Sequence, residues 1–268
     1  HDLPGKPGAP RARTDHLRVK VSIITICYNA AAHIGDTLRS IAGQDHDDIE
    51  HIVIDGGSTD GTLDVIHTYR SGIAQLVSER DRGVYDAMNK GLRMATGDVV
   101  AFVNAGDMIE GAATVSAMAS EFAKGDADAI YGDALMVDPD DISKVKRFWK
   151  GGTYARERFR AGWMPPHLGT YIRRDVYERL GHFREDLKVS ADYELMFRFM
   201  YKHRIRVRYV PKVLVRFRLG GVSNRSLAHI WRANVEVYKA WGLNGEQVSP
   251  LIVVAKPLRK IAQLFRRG

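Results

Sequence analysis

Four acidic positions stand out for the chemistry their surroundings allow. Asp55 opens Asp55-Gly-Gly-Ser-Thr-Asp-Gly61, Asp81 lies within Ser78-Glu-Arg-Asp-Arg-Gly83, Asp107 closes Asn104-Ala105-Gly106-Asp107, and Asp192 sits in Ser190-Ala-Asp-Tyr-Glu194. The first three each come just after a short apolar run that reads as a strand. A carboxylate there can accept hydrogen bonds from a ligand or bind a hard cation. The glycines near Asp55 let the backbone turn sharply, and Ser58, Thr59 or Asp60 can cap the helix that follows. A capped turn accounts for Ser-Thr-Asp but not for a carboxylate at a strand's last position. Asp107 and Asp192 have plainer readings too, because each can cap a helix, where the dipole and free N–H groups favour a carboxylate. Neither G-x-G-x-x-G nor a Walker-type G-K-[ST] accompanies the Asp55 turn. The single cysteine, Cys27, excludes an internal disulfide and a cysteine-based zinc site.

These side chains need a scaffold. Residues 21–26, 50–55, 73–77 and 98–103 read as strands. Between them, 30–42, 61–69 and 84–94 space their apolar residues as helices do. Such alternation predicts βαβ units and a parallel sheet, with right-handed crossovers that gather the strands' C-terminal ends on one rim. Ligands of such sheets bind at that rim. Further on, 114–122, 173–180, 192–201 and 227–241 read as helices, and 129–137 with 143–149 as a strand meander. Residues 206–210 and 213–218 read as a strand pair broken by Pro211. The chain divides into a flexible arm (1–20), one domain (21–241) with halves at 21–109 and 110–241, and a basic amphipathic segment (242–268).

Composition sets limits on class. With 268 residues, 45% hydrophobic and 27% charged, the chain is an ordinary globular protein, not a disordered, collagen-like or purely coiled-coil one. Lys and Arg number 40 against 32 Asp and Glu, for a net +8. The excess falls in 143–218 and 256–267, which suits a polyanionic ligand such as a nucleotide, or an anionic membrane face. Charge alone is weak evidence for nucleic acid, and no nucleic-acid partner is expected. No apolar run approaches a bilayer-spanning length, and 1–20 is not a secretory signal. With one cysteine, the expected location is the cytoplasm. Residues 251–267 space Val254, Leu258, Ile261, Leu264 and Phe265 among Lys and Arg. They read either as a helix lying on the inner face of an anionic membrane or as a packed helix with a basic outer face.

The string Val21-Ser-Ile-Ile-Thr-Ile-Cys-Tyr-Asn29, followed by Val53-Ile-Asp-Gly-Gly-Ser-Thr-Asp-Gly61, resembles the opening of the family 2 inverting glycosyltransferases. Residues 78–91, Thr96-Gly-Asp98, Phe102-Val-Asn-Ala-Gly-Asp107, Tyr131-Gly-Asp133, Pro166-His167 and Gly220-Gly-Val-Ser-Asn224 are similar to a subgroup that builds bacterial surface polysaccharides and glycolipids. The resemblance runs from about 21 to 241. It implies a GT-A fold: an α/β nucleotide-binding sandwich with a mostly parallel central sheet, helices on both faces and a C-terminal helical extension.

It also implies a nucleotide-sugar donor, UDP-linked by family frequency, and a glycan or lipid-linked acceptor hydroxyl. By position, Thr25, Tyr28 and Asn29 would line the base and ribose pocket, Asp55 would bond the base, and Asp81 would sit near the base or ribose. Arg82 or Lys90 would approach the phosphates, though Lys90 suits a solvated helix face equally. Asn104, Ala105 and Gly106 occupy the family's Asp-x-Asp element, and Asp107 would ligate Mn²⁺ or Mg²⁺. Asn104 and Gly106 replace the two aspartates there, so the donor phosphates would supply most of the metal affinity. Asp192 would be the general base, with Glu194 the second candidate. His167 would touch acceptor or diphosphate, or be structural. Arg216, Arg218 and the loop bearing Ser223 would close over the phosphates, or lie on a solvated edge.

Two rivals remain at this level. A sugar nucleotidylyltransferase would carry a Gly-rich, Arg-containing loop after its first strand, which Cys27-Tyr-Asn-Ala30 is not. A non-catalytic nucleotide-sugar or glycan-binding module fits the altered Asp-x-Asp element but not the retained Asp192.

Overall fold

The computed structural model describes residues 19–220 and 227–249. The arm at 1–18, Ser223 and the segment 250–268 lie outside the described residues. Four strands, β1 (Val21–Cys27), β2 (Ile49–Asp55), β3 (Gln75–Ser78) and β4 (Val99–Phe102), run parallel in the order β3-β2-β1-β4. The helices between them are α1 (Ile34–Ala42), α2 (Thr62–Thr68) and α3 (Val84–Met94). Every residue of β1 is buried, which is why it reads as a continuous apolar run without alternation. Its two faces still separate by period two. Ile24 and Ile26 pack with Met88 and Leu92 of α3, whereas Cys27 packs with Ile34, Leu38 and Ile66 of α1 and α2. A methyl group on Gly91 would meet Ile24 Cγ2 at 2.4 Å, so this glycine lets α3 lie close against β1. The register sets Cys27 opposite Asp55 and Asp55 opposite Ser78, so three strand ends stand level on one rim.

The other rim explains Thr96-Gly-Asp98. There buried Glu50 accepts hydrogen bonds from Ser22 Oγ (2.5 Å), Thr96 N–H (2.7 Å) and Thr96 Oγ1 (2.6 Å), and Lys20 Nζ lies 3.1 Å away. This motif fastens the start of β4 and is remote from the ligand rim.

Beyond β4 the sheet becomes mixed. The strands are β5 (Met108–Ile109), β6 (Ala129–Val137), β7 (Val145–Trp149), β8 (Thr170–Arg173) and β9 (Val207–Arg218), in the order β4-β8-β6-β9-β5 with β7 on β6. The helices are α4 (Thr114–Ala123), α5 (Arg174–Leu180), α6 (Ala191–Met196), which runs on as a π-helical stretch over Phe197–Lys202, and α7 (Leu227–Leu243). Two expectations change. Residues 206–218 do not form a strand pair: β9 is continuous through Pro211, and both its parts lie parallel to β6. Register shifts at Tyr131/Asp133 and Asp133/Ala134 absorb the proline, which has no N–H to give the ladder. Strands β5 and β8 were not foreseen because two and four residues show no periodicity.

Candidate active site

The loops after β1 and β2 are stitched together on the ligand rim. Asn29, at φ 46°, accepts the Thr59 N–H (3.0 Å) through Oδ1 and donates its own N–H to Ser58 Oγ (2.8 Å). Thr62 Oγ1 accepts Ala30 N–H (2.8 Å), and Asp60 accepts Ala31 N–H (3.1 Å). Asp55 is the centre of this weave. Its carboxylate accepts from Gly57 N–H (3.2 Å), Ser58 N–H (3.0 Å), Ser78 Oγ (2.7 Å), Ser58 Oγ and Cys27 Sγ (3.6 Å). Burial works to raise its pKa, but the Ser58 and Ser78 hydroxyls and the Ser58 amide hold it below the usual carboxylate value. With five protein donors, Asp55 fastens the loops of this rim together.

What faces outward is Tyr28, 64% exposed. A Cβ on Gly56 would stand 2.6 Å from Asp81 Oδ2 and 3.4 Å from the Tyr28 ring, so bare backbone separates an aromatic face from a carboxylate. Asp81 Oδ1 accepts Gly83 N–H at 2.9 Å. The expected Thr25 is not at this pocket. It lies two residues inside β1, fully buried, 3.0 Å from His51 Nε2, and Cys27 holds the strand-end place instead. Lys90, 17% exposed, pairs with Glu79 (2.7 Å) and lies 3.7 Å from Asp86.

The turn after β4 carries Asn104 to Asp107. Thr37 of α1, buried on an otherwise apolar face, holds it: its hydroxyl donates to Asp107 O (2.7 Å) and accepts Gly106 N–H (2.9 Å). Ala105 N–H donates to Ile26 O (3.0 Å), and Gly106 takes φ 96°. Among the described residues, buried Asn104 Oδ1 has no hydrogen-bond partner. Burial pushes the Asp107 carboxyl up to about 7, against the Arg218 N–H (3.0 Å) that it accepts and the nearby guanidinium.

An orphaned amide oxygen and a carboxylate short of compensating charge are hard donors that suit Mn²⁺ or Mg²⁺. Two oxygens leave most of the coordination to donor phosphates and water, since no three His, Cys, Asp or Glu side chains converge among the described residues. The arginines expected over the phosphates are engaged elsewhere. Arg218 pairs with Asp36 (2.5 Å) and donates to Gly106 O and Pro139 O, bracing the turn from behind. Arg216 grips Glu110 and donates to Ile142 O (3.2 Å).

Asp192 stands on α6, half-buried. The N-cap of α6 is Ser190, so Asp192 lies inside the first turn and is not the cap. Its Oδ1 meets Tyr193 N–H (2.8 Å) and Tyr85 Oη (3.4 Å), and among the described residues Oδ2 makes no hydrogen bond. Tyr85 also donates to Val189 O (2.8 Å) and stacks on Phe183 (5.7 Å between centroids). His167 is buried between Phe102 (5.6 Å) and Phe183 (5.5 Å). Burial keeps it neutral, with the Asp192 charge opposing that shift. Glu194 is not a second base: it is buried on Arg198 (3.0 Å) and accepts Asn244 Nδ2 (2.9 Å), tying α6 to α7.

Three positioning residues escaped the sequence reading. Asn89 takes both the N–H and the C=O of Phe183 (each 3.0 Å). Glu236 of α7 accepts the N–H groups of Lys188 (3.1 Å), Val189 (2.8 Å) and Ser190 (2.8 Å), fixing the approach to Asp192. Thr37 is the third. Only Asn89 lay in a string already singled out. The loop between β3 and α3 links the two centres: Asp81 borders Gly56, while Arg82 reaches Glu185 (2.8 Å) and Tyr85 reaches Asp192.

A parallel half-sheet with Asp55, Asp81 and Asp107 at or just beyond its strand ends, faced by a mixed half that carries Asp192, fits the GT-A arrangement that the resemblance implies. The family model "Glycosyl transferase family 2" matches residues 22–181, and the chain belongs to that family. Among curated relatives, the PGL/p-HBAD biosynthesis glycosyltransferase of Mycobacterium bovis is 32% identical over 208 residues, 76% of this chain and 78% of that one. An uncharacterized glycosyltransferase of Mycobacterium tuberculosis is 31% identical over 181 residues, 66% of this chain and 68% of that one. Among solved structures, S. aureus TarS 1-349 in complex with UDP-GlcNAc matches with a TM-score of 0.65 at 19% identity, covering 91% of this chain and 73% of that one. The mannosyltransferase of Pyrobaculum calidifontis in complex with GDP-Man and Mn²⁺ matches at 0.64 and 25% identity, covering 92% and 71%.

Proposed function

We propose that the protein is an inverting glycosyltransferase that moves a sugar from a nucleoside diphosphate, UDP in preference, to a hydroxyl of a glycan or lipid-linked acceptor in glycolipid or surface-polysaccharide synthesis. The observation that carries the reading is Asp192: a half-buried carboxylate whose Oδ1 accepts the Tyr193 N–H and lies 3.4 Å from Tyr85 Oη, with Oδ2 unengaged among the described residues. A second support is the glycolipid-related name of the M. bovis relative, and a third the nucleotide sugars bound to the fold neighbours.

Tyr28 and Asp81 flank the place for base and ribose, and Asp55 keeps that wall rigid. Asp192 Oδ2 takes the proton of the acceptor hydroxyl as its oxygen attacks the anomeric carbon. The bond from that carbon to the diphosphate breaks, and the leaving nucleoside diphosphate keeps the electron pair. One displacement inverts the anomeric centre. His167, wedged between the Phe102 and Phe183 rings, walls the acceptor side. Asn104 Oδ1 and Asp107 would hold the divalent cation, which when bound supplies positive charge to the leaving diphosphate.

The test is Asp192→Asn, assayed with UDP-, GDP- and dTDP-sugars and candidate acceptors. Turnover falls by roughly 10²–10⁴-fold, the usual worth of a positioned base. Melting temperature and donor affinity hold, because Asp192 is not the N-cap and an asparagine oxygen at its place can still accept the Tyr193 N–H. Near-native turnover in a stable variant would remove Asp192 as the base.

A further inference from the structure

The outer face of α7 is unusual for a surface helix. Trp231 is 65% exposed and Tyr238 42% exposed. With half-buried Val235 they follow i, i+4, i+7 spacing, which places all three on one stripe. Arg232 and Lys239 are exposed beside it, in no ion pair among the described residues. The only carboxylate of α7, Glu236, points inward to the Lys188–Ser190 amides. The face therefore offers aromatic rings with polar edges and positive charge, with no negative charge to offset it.

We propose that this face of α7 docks on an anionic lipid surface. Tryptophan and tyrosine favour the boundary between headgroups and acyl chains. Arginine and lysine next to them are drawn to anionic headgroups. The chain leaves α7 toward 250–268, where Lys256, Arg259, Lys260, Arg266 and Arg267 continue the same sign of charge among apolar residues. Charge complementarity thus selects an anionic membrane over a second copy of this basic chain.

Position gives the docking a use. The inner side of α7 packs on α6: Trp241 Nε1 donates to Tyr193 Oη (3.2 Å) and Asn244 donates to Glu194 (2.9 Å). Packed helix axes lie about 8–10 Å apart, so a membrane at the outer side of α7 lies one helix away from the element that carries Asp192. That is where a lipid-linked acceptor presents its hydroxyl. This use rests on the proposed transferase reading, whereas lipid binding itself does not.

The experiment uses the full chain with vesicles of phosphatidylcholine alone and of an equimolar mixture with phosphatidylglycerol. The protein sediments with the anionic vesicles, and salt weakens the binding. Its tryptophan emission shifts to the blue, and Trp231→Phe removes most of that shift. Arg232→Glu with Lys239→Glu weakens binding by roughly tenfold or more, and Trp231→Ala with Tyr238→Ala does the same. Melting temperatures are unchanged, because the substituted side chains are solvent-facing. Undiminished binding by both double variants, or none by the full chain, overturns the proposal. So does tighter binding after truncation at Ser249, which would mean that the chain's own end covers α7, or Trp231-dependent dimers without lipid. Binding is read without catalysis, so a failed transferase assay leaves its outcome intact.

Discussion

Asp55 shows how a correctly located residue can differ in its work from what its position suggests. The strand-end placement was legible from the apolar run before it, but the five donors converging on it come from β1, the β2–α2 loop and the end of β3. A residue expected to touch the base also fastens the loops around it. Asp55→Ala is therefore expected to lower stability as well as donor affinity. Stranding buried donors costs about 1–3 kcal/mol, and a loosened Tyr28–Gly56 wall weakens UDP binding by roughly tenfold or more. Denaturant unfolding and calorimetry read the two effects separately. Weakened binding with unchanged stability would return Asp55 to a direct contact. Thr25 teaches a related lesson: a hydroxyl in β1 looked suited to ribose, yet the register buries it against His51.

Helix α6, which carries the proposed base Asp192, is short, six residues before its π-helical continuation. Its precision is borrowed. Glu236 fixes the three amides leading into it, and Trp241 and Asn244 pin its inner face. Glu236→Gln keeps shape but leaves one carboxamide oxygen for three N–H groups. The expected result is a kcat lowered by about tenfold with the donor KM unchanged, alongside a stability loss of about 1–2 kcal/mol. A variant with the stability loss but native kcat would make Glu236 structural only. Nothing in the sequence around 236 announced this, because its partners are backbone amides some 46 to 48 positions away.

Across the molecule, His51 and Glu50 are among the buried groups whose titration weakens the fold in acid. Burial lowers His51 to about 4. The folded state therefore stays neutral while the unfolded chain takes up a proton below about 6.5, and stability is lost as pH falls from there to about 4. For Glu50, burial works upward, but the bonds from Ser22, Thr96 and Lys20 outweigh it and hold the carboxyl at about 2. Its contribution is complete above about 4.5 and is lost as pH falls through about 2. Melting curves against pH should show both windows. Glu50→Gln should flatten the lower one; a curve unchanged by that substitution would refute the assignment. The proposed cation belongs to the same level, because protein and donor would share it. Chelator is expected to suppress turnover and Mn²⁺ to restore it, while Asp107→Ala leaves nothing to restore. Full turnover in chelator would exclude a required cation.

The parallel half of the sheet, its three crossover helices and the rim that gathers Asp55, Asp81 and Asp107 were readable because each rests on local periodicity, which neighbouring residues encode. So was the helix that begins near Asp192. Folding in three dimensions decided which of those groups are free. Lys90, Arg216 and Arg218 carry the right charge for a polyanionic donor, yet each is matched to a carboxylate, and Glu194, the second candidate base, is matched to the Arg198 guanidinium. A charge in a sequence says nothing of the partner that neutralises it when that partner is distant along the chain. Arg218 and Asp36 are 182 positions apart. The same holds for β9, where pairing with β6 overrode the break expected at Pro211. Local pattern fixes elements, whereas long-range pairing determines which side chains remain available to a ligand.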